Sequence, residues 1–395
     1  MERRPMLGAQ LTKLTSRIRG LRVRSRGGVR IAATAGALAL CATRASDARA
    51  QGILIQGIAD GEFWSTNTTS NLLTRNLGRP AGLGRLELWG AYEPIPKFVI
   101  YAQGEFEGGP ARQEEATEVY TDQFGVRYVA SPAFVFDAGR FTPIIGTFAT
   151  RHFSTRNPLI GEPDGYSTDY PVGVKVSGEG HGFDYRAGLV SLPTTHVGYE
   201  PEPTARLRPA IGGGYTPIVG LRFGGSFTTG PYLSKSIPDA DLNGRSWTDY
   251  QQSVIALDAQ FSRGYLETHA EAARGTYDLA GRSAITGFTY YGEAKYTFTP
   301  RFFVATRLER NKYPFIHPTA TIPWTARLVD FVDGEFGIGY RLTSSTIVKT
   351  SVRGDRWWVR PGTTGYRGEG GHAFAVQFSQ AFDVMNWVDR ARLRE

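Results

Sequence analysis

Cysteine is nearly missing: Cys41 stands alone among 395 residues, beside only 3 Met and 6 His. A single thiol cannot close an internal disulfide, so the small, cross-linked secreted class is excluded. Long apolar runs are missing as well. Beyond residue 50 nothing approaches the ~18 apolar residues that a membrane-spanning helix requires. There is no low-complexity tract, and the 22 prolines are scattered at turns rather than gathered in a linker. No Gly-x-Ser-x-Gly elbow accompanies any histidine, which argues against a serine hydrolase.

Charge of one sign is missing too, once the first fifty residues are set apart. Arg3, Arg4, Lys13, Arg17, Arg19, Arg22, Arg24, Arg26 and Arg30 precede the apolar run 31–40, and Ala48-Arg49-Ala50 fits a small-residue cleavage site. Residues 1–50 therefore form a secretory signal peptide with a long basic start, within which Met6 is a second candidate initiator. Leu38-Ala39-Leu40 lacks the small residue that lipidation at Cys41 would want. The leader holds 11 of the 45 lysines and arginines and 2 of the 37 acids, leaving 34 bases against 35 acids. The mature chain is about neutral, so its pI gives no reason to expect nucleic acid.

What is abundant is glycine and aromatic residues, 48 Gly, 19 Tyr and 23 Phe, a composition suited to strands. After Gln51 the pattern is alternation. Phe98, Ile100, Ala102 and Phe106 share one face and Tyr101, Gln103, Glu105 and Glu107 the other; Val172, Val174 and Val176 oppose Lys175, Ser177 and Glu179. Seven very short turns recur, six of them led by Tyr92, Tyr128, Tyr215, Phe261, Tyr296 or Tyr340. Between them lie longer polar or Gly/Pro-rich stretches near 65–82, 108–117, 143–171, 193–208, 231–249, 277–283, 311–330 and 355–370. Turns this short join antiparallel neighbours. Strict alternation of short and long connections gives about sixteen strands with both termini on the short-turn side. The expected fold is an all-β transmembrane antiparallel barrel over residues 51–384, with short periplasmic turns and long extracellular loops. Residues 385–395 form a C-terminal periplasmic tail. Acids and bases on nearly every polar face call for a wide aqueous lumen. The six turn aromatics either form a headgroup-level girdle or pack their own hairpins.

The third long connection is the most informative. Phe134 and Phe136 alternate with Val135 and Asp137, then the strand breaks at Pro143 and Gly146 and resumes at Val172. Ordinary connections run about 4–6 residues, so a gap this long points to function. Arg140, Arg151, His152, Arg156, Glu162, Asp164 and Asp169 cluster along it. Folded inward they make a charged pore constriction, in which a guanidinium pair could hold phosphate or carboxylate; folded outward they are a solvated loop.

The segment Gly139-Arg-Phe-Thr-Pro-Ile-Ile-Gly146 resembles one found in the phosphate-selective porin O/P family, whose members commonly carry a Gly-x-Phe-x-x-Pro-Phe-Gly-like stretch where a strand enters a long loop. The resemblance in layout covers about Gln51 to Phe382. It implies a sixteen-stranded barrel, often a homotrimer, with the third long loop folded inward. Phosphate-selective members line the lumen with bases, and here Arg85, Arg127, Lys175, Arg186, Arg222, Lys295, Arg307, Lys349 and Arg353 fall on inward faces. They alternate with Glu87, Glu105, Asp184, Asp258, Glu267, Glu271, Glu293, Glu309 and Glu335, a mixture that does not by itself select an ion. The chain also continues past Phe382, so either Phe382 replaces the usual terminal aromatic or the tail binds something in the periplasm. Glu267, His269 and Glu271 share a face but read as hydrated lumen groups; no metal, cofactor or catalytic residue is expected.

The expected function is a passive outer-membrane porin for small hydrophilic solutes, with anions such as phosphate as candidates. The alternatives are a structural or adhesive barrel without a channel, and an outer-membrane hydrolase. Expected partners are outer-membrane lipid, the permeating solutes, the barrel-assembly machinery and further copies of the chain.

Overall fold

The computed structural model describes residues 52–70, 72–112, 117–165, 170–191, 206–233, 242–317, 325–358 and 370–385. The expected leader 1–50, Asp169 and the expected tail beyond 385 lie outside the described residues. The strands in order are β1 (Ile53–Thr66), β2 (Ala81–Ile95), β3 (Phe98–Gly108), β4 (Thr117–Ser131), β5 (Phe134–Arg140), β6 (Val172–Gly180), β7 (Phe183–Val190) and β8 (Arg208–Ile218). They continue as β9 (Leu221–Pro231), β10 (Gln251–Arg263), β11 (Leu266–Leu279), β12 (Arg282–Thr297), β13 (Phe302–His317), β14 (Thr325–Arg341), β15 (Thr346–Trp357) and β16 (His372–Asp383). Each pairs antiparallel with its sequence neighbours, and β16 returns to β1 with Phe382 opposite Gly57, so the sheet closes on itself. Closure leaves no open edge, which hydrocarbon would penalise.

The faces are sorted inside out relative to a soluble protein. Outward side chains are large, apolar and exposed: Phe106, Phe124, Ile211, Phe223, Leu257, Leu308, Phe336, Val352 and Phe378. Inward positions hold buried charge, with Glu87, Asp137, Lys175, Asp258, Glu271, Glu293, Arg307, Glu309, Asp333, Glu335 and Lys349 each under a tenth exposed. The two-residue period of a strand produces this sorting directly.

Seven short turns gather at one rim, as expected from β2–β3 through β14–β15. Tyr128, Tyr215, Tyr296 and Tyr340 stand exposed there, and Tyr92 and Phe261 are half-buried. Some also pack locally: Tyr215 stacks on Phe183 at 4.5 Å and Tyr296 meets Phe298 edge-on at 4.8 Å.

The other rim departs from expectation in two places. The connection expected at 277–283 is a tight turn at Ala280-Gly281, with Leu279 paired to Arg282 and Gly281 at φ +65°. The stretch expected as loop at 311–330 is largely the ends of β13 and β14. The first segment looks like a loop because it is polar, the second because Pro314, Pro318 and Pro323 punctuate it. A barrel wall that rises above the membrane can be polar on both faces and stay paired, so polarity there does not end a strand.

Candidate pore constriction

The third long connection, residues 141–171, leaves β5 and returns to β6 by way of the barrel interior. Its departure depends on Gly139, whose φ is +133° and whose missing Cβ would collide with the Phe124 carbonyl oxygen. Arg140 follows. By register it lies beside Phe124 and Val172 on the outward face, and its guanidinium donates to the carbonyls of Tyr170 (3.0 Å) and Thr121 (2.5 Å). Arg140 thus ties the loop's exit to its return.

Two apolar anchors hold the loop in the lumen. Phe141, Ile144 and Ile145 pack against inward-facing Val190, Ala210, Val254, Ala256 and Ala273, where small wall side chains leave room. Further along, Ile160 joins Trp64, Leu83, Ala373 and Ala375. Burying Phe141, Ile144, Phe148 and Leu159 completely contributes roughly 1.5–3 kcal/mol each.

Between and around the anchors, charge does the docking. The Thr147 amide and hydroxyl donate to Glu271 at 2.9 and 2.8 Å. Arg151 pairs with Glu293 at 2.5 Å and donates to the Tyr291 hydroxyl at 2.9 Å. The Ser154 hydroxyl donates to Asp60 at 2.7 Å. Arg307 bonds Glu293 (2.5 Å), the Gly161 carbonyl (2.8 Å) and Asn157 (2.9 Å). The Lys349 ammonium donates to three loop carbonyls, Ser154, Asn157 and Leu159, at 2.8–3.0 Å. The amides of Ile160 and Gly161 donate to Glu335, that of Asp164 donates to Glu309, and Arg353 holds the Asp164 and Asp333 carboxylates. Arg186 donates to the carbonyls of Ile144 and Gly146. The fit is close: a Cβ on Gly161 would lie 2.5 Å from Glu335 Oε2, and one on Gly165 would overlap the Thr289 hydroxyl.

These contacts run along one arc of the wall, from β7 through β9 and β11–β15 to β1. The arc β2–β4 is arranged differently. Glu87 and Glu105 are directly opposite on the lumen face, and Asp122 sits at the bulge where β3 and β4 slip register. Glu87 is 2% exposed, and its Oε2 has no hydrogen-bond partner among the described residues. Arg85 lies beside this group, 3.3 Å from Glu105 and 3.0 Å from Glu107. Facing it from the loop are His152, its ring tilted against Phe153 with centroids 4.3 Å apart, and Tyr170, whose hydroxyl is 2.7 Å from His152 Nε2. Burial, reinforced by Asp122, Glu87 and Glu162, pushes the Tyr170 hydroxyl well above its usual pKa, so it stays a neutral phenol. Glu162 lies 3.8 Å from His152 Nδ1, and Arg156 is exposed, its guanidinium over the Phe153 ring at 5.6 Å.

The predicted residues therefore separate by role. Arg151 and Asp164 are loop-to-wall ties, Arg140 ties the loop's ends, and His152, Arg156 and Glu162 lie on the side toward β2–β4; Asp169 is outside the described residues. Every predicted lumen base has partners. Arg127 and Lys175 share Asp137, Arg222 binds Asp184 and Asp258, Lys295 binds Glu267, and Arg186, Arg307, Lys349 and Arg353 hold the loop. Sequence reasoning missed Asp60 and Glu62 on β1, because Ile58 and Trp64 interrupt the polar face on which they lie. It also missed Asp122, because a bulge reverses the alternation.

With this geometry the likeness to solved structures is informative. Three structures that align with 84% of the chain are the Comamonas acidovorans anion-selective porin (TM-score 0.57, 14% identity, 99% of that chain), Salmonella typhi OmpF in complex with daunomycin (0.56, 14%, 97%) and outer-membrane-expressed Vibrio cholerae OmpT (0.54, 12%, 97%). The chain shares the fold of these outer-membrane β-barrels. No protein-family model matches this barrel, and neither does the sequence of any curated protein. Identities this low carry the fold and leave the solute open.

Proposed function

We propose that this barrel is a porin, a passive water-filled channel for small hydrophilic solutes, exported with residues 1–50 removed. The observation that carries this reading is the inward loop, held by buried ion pairs along one arc of a charged lumen. A merely structural barrel has no need of such a device. The reading narrows the solute. A phosphate path needs unpaired bases, and the nine predicted wall bases all have partners, whereas the β2–β4 arc carries closely spaced carboxylates. Charge preference is thus weak and leans toward cations. Assembly as a homotrimer belongs to the same reading; one Vibrio cholerae OmpT structure with this fold is described as a trimer form.

The test is single-channel recording in a planar bilayer, with the zero-current potential read in a salt gradient. Discrete current steps with a slight cation preference are expected. A pure, folded barrel that gives no steps would end the porin reading, and a strong anion preference would end the solute assignment. Cross-linking in native membranes tests the trimer.

A further inference from the structure

Apart from Arg140 on β5, which is bonded to the loop's ends, outward-facing charge well inside the described strands gathers mainly in one sector. Two neighbouring rows cross β11–β15 on the outer surface. The lower row runs Ala272, Tyr290, Arg310, Val332 and Arg356; the upper runs Arg274, Phe288, Lys312, Asp330 and Trp358. Four cations thus stand with one carboxylate. Asp330 bridges Arg310 (3.2 Å) and Lys312 (3.9 Å), while Arg274 and Arg356 are exposed and make no ion pair among the described residues. The aromatics interleave with the bases: Arg310 and Arg356 lie over Trp358 at 5.5 and 5.7 Å, and Lys312 over Phe288 at 5.9 Å.

Depth explains the combination. From Phe302 at the short-turn rim, Arg310 and Lys312 are about 26 and 33 Å along β13, at about 3.3 Å per residue. A tilt of about 40° places them about 20–25 Å above that rim, at the top of the ~25 Å apolar band. Directly below are Leu308, Phe336 and Val352, all more than half exposed. A base facing hydrocarbon is costly, whereas a base at the headgroup level of an anionic leaflet is favourable.

We infer that this sector is a binding site for the phosphorylated headgroup of an outer-leaflet lipid, with Arg274 and Arg356 as its unpaired phosphate ligands. Guanidinium forks match phosphate oxygens bidentately, the aromatics sit at the interface, and the apolar side chains below receive the acyl chains. The occupant is a lipid because charge and apolar surface are stacked in the order of a lipid's own length. The inference holds whether or not the barrel conducts.

The experiment is native mass spectrometry of the folded full-length mature barrel in detergent, titrated with diphosphoryl lipid A and with its dephosphorylated form. The phosphorylated lipid should bind more tightly. Arg274→Gln with Arg356→Gln should weaken it by about fivefold per residue, the equivalent of ~1 kcal/mol for each base near an anionic surface. Arg274→Lys with Arg356→Lys should keep most of the binding. Arg263→Gln with Arg301→Gln, at the opposite rim, should leave it unchanged. Equal binding of the two lipids, an unaffected Gln pair at Arg274 and Arg356, the same loss from the Arg263 and Arg301 pair, or displacement of the lipid by millimolar inorganic phosphate would each overturn the assignment.

Discussion

The two arcs of the lumen wall carry similar residues in different states. On the arc from β7 through β15 to β1, glutamates and arginines are buried and bonded to the loop or to each other; Arg307 alone reaches Glu293, Gly161 and Asn157. On β2–β4, Glu87 and Glu105 face one another across a strand pair. The first arc uses charge as an adhesive in place of an apolar core. The second leaves like charge crowded around Arg85. Counting lumen charges therefore says little about selectivity, because pairing removes most of them from the electrostatics of the pore.

The largest test of this contrast is Arg307→Met. It takes a shared guanidinium from two buried carboxylates, leaving Glu293 with Arg151 alone and Glu335 with the Ile160 and Gly161 amides, and should cost about 3 kcal/mol, the lower end for a broken buried pair. Urea unfolding in detergent would measure the loss, and single-channel conductance should rise as the loop loosens. A barrel unchanged in both respects would mean that the arc does not hold the loop.

Next in size is Gly161→Ala. Its Cβ would press on Glu335, and overpacking of this kind costs roughly 1–3 kcal/mol. Thermal unfolding of the folded band on a gel should show a lower midpoint; an unshifted midpoint would show that the loop has slack.

Two arginines on the same loop sharpen the comparison further. Arg151→Glu sets two carboxylates against each other and should raise and destabilise the conductance, since Arg151 is a tie to Glu293. Arg156→Glu, at an exposed site, should leave stability alone and move the zero-current potential toward cations. Exchange of these two phenotypes would invert the roles given to them.

The smallest effect is expected on the second arc. Glu87→Gln relieves a like-charge pair and should stabilise the barrel by up to about 1 kcal/mol. The same change should move the zero-current potential toward anions. If that potential stays where it was, Glu87 carries no charge in the working pore.

Much of the barrel is legible along the chain because its rules are local. A strand from Phe98 to Gly108 announces both faces by alternation, and Pro96-Lys97 announces the turn before it. The rule fails where its premise fails. Asp122 was unreadable because a bulge inserts one residue, and the 277–283 stretch misleads because polarity above the membrane is compatible with pairing. Among constriction candidates, the length of the loop and its charges were visible in the sequence, whereas the separation of Arg151 from Arg156 was not: both are arginines in a polar context.

The sequence by itself determined a closed sixteen-stranded wall with an apolar outside, a charged inside and one long loop available to fold in. A two-residue period and the lengths of turns are enough for that, since each is set by neighbours a few positions away. Only the tertiary structure decided which charges remain to act on a solute. Thr147 meets Glu271 across 124 residues, Gly161 meets Glu335 across 174, and Lys349 meets Ser154 across 195. Closing the barrel brings those partners together, and a charge's effect in a pore depends on the partner it has found.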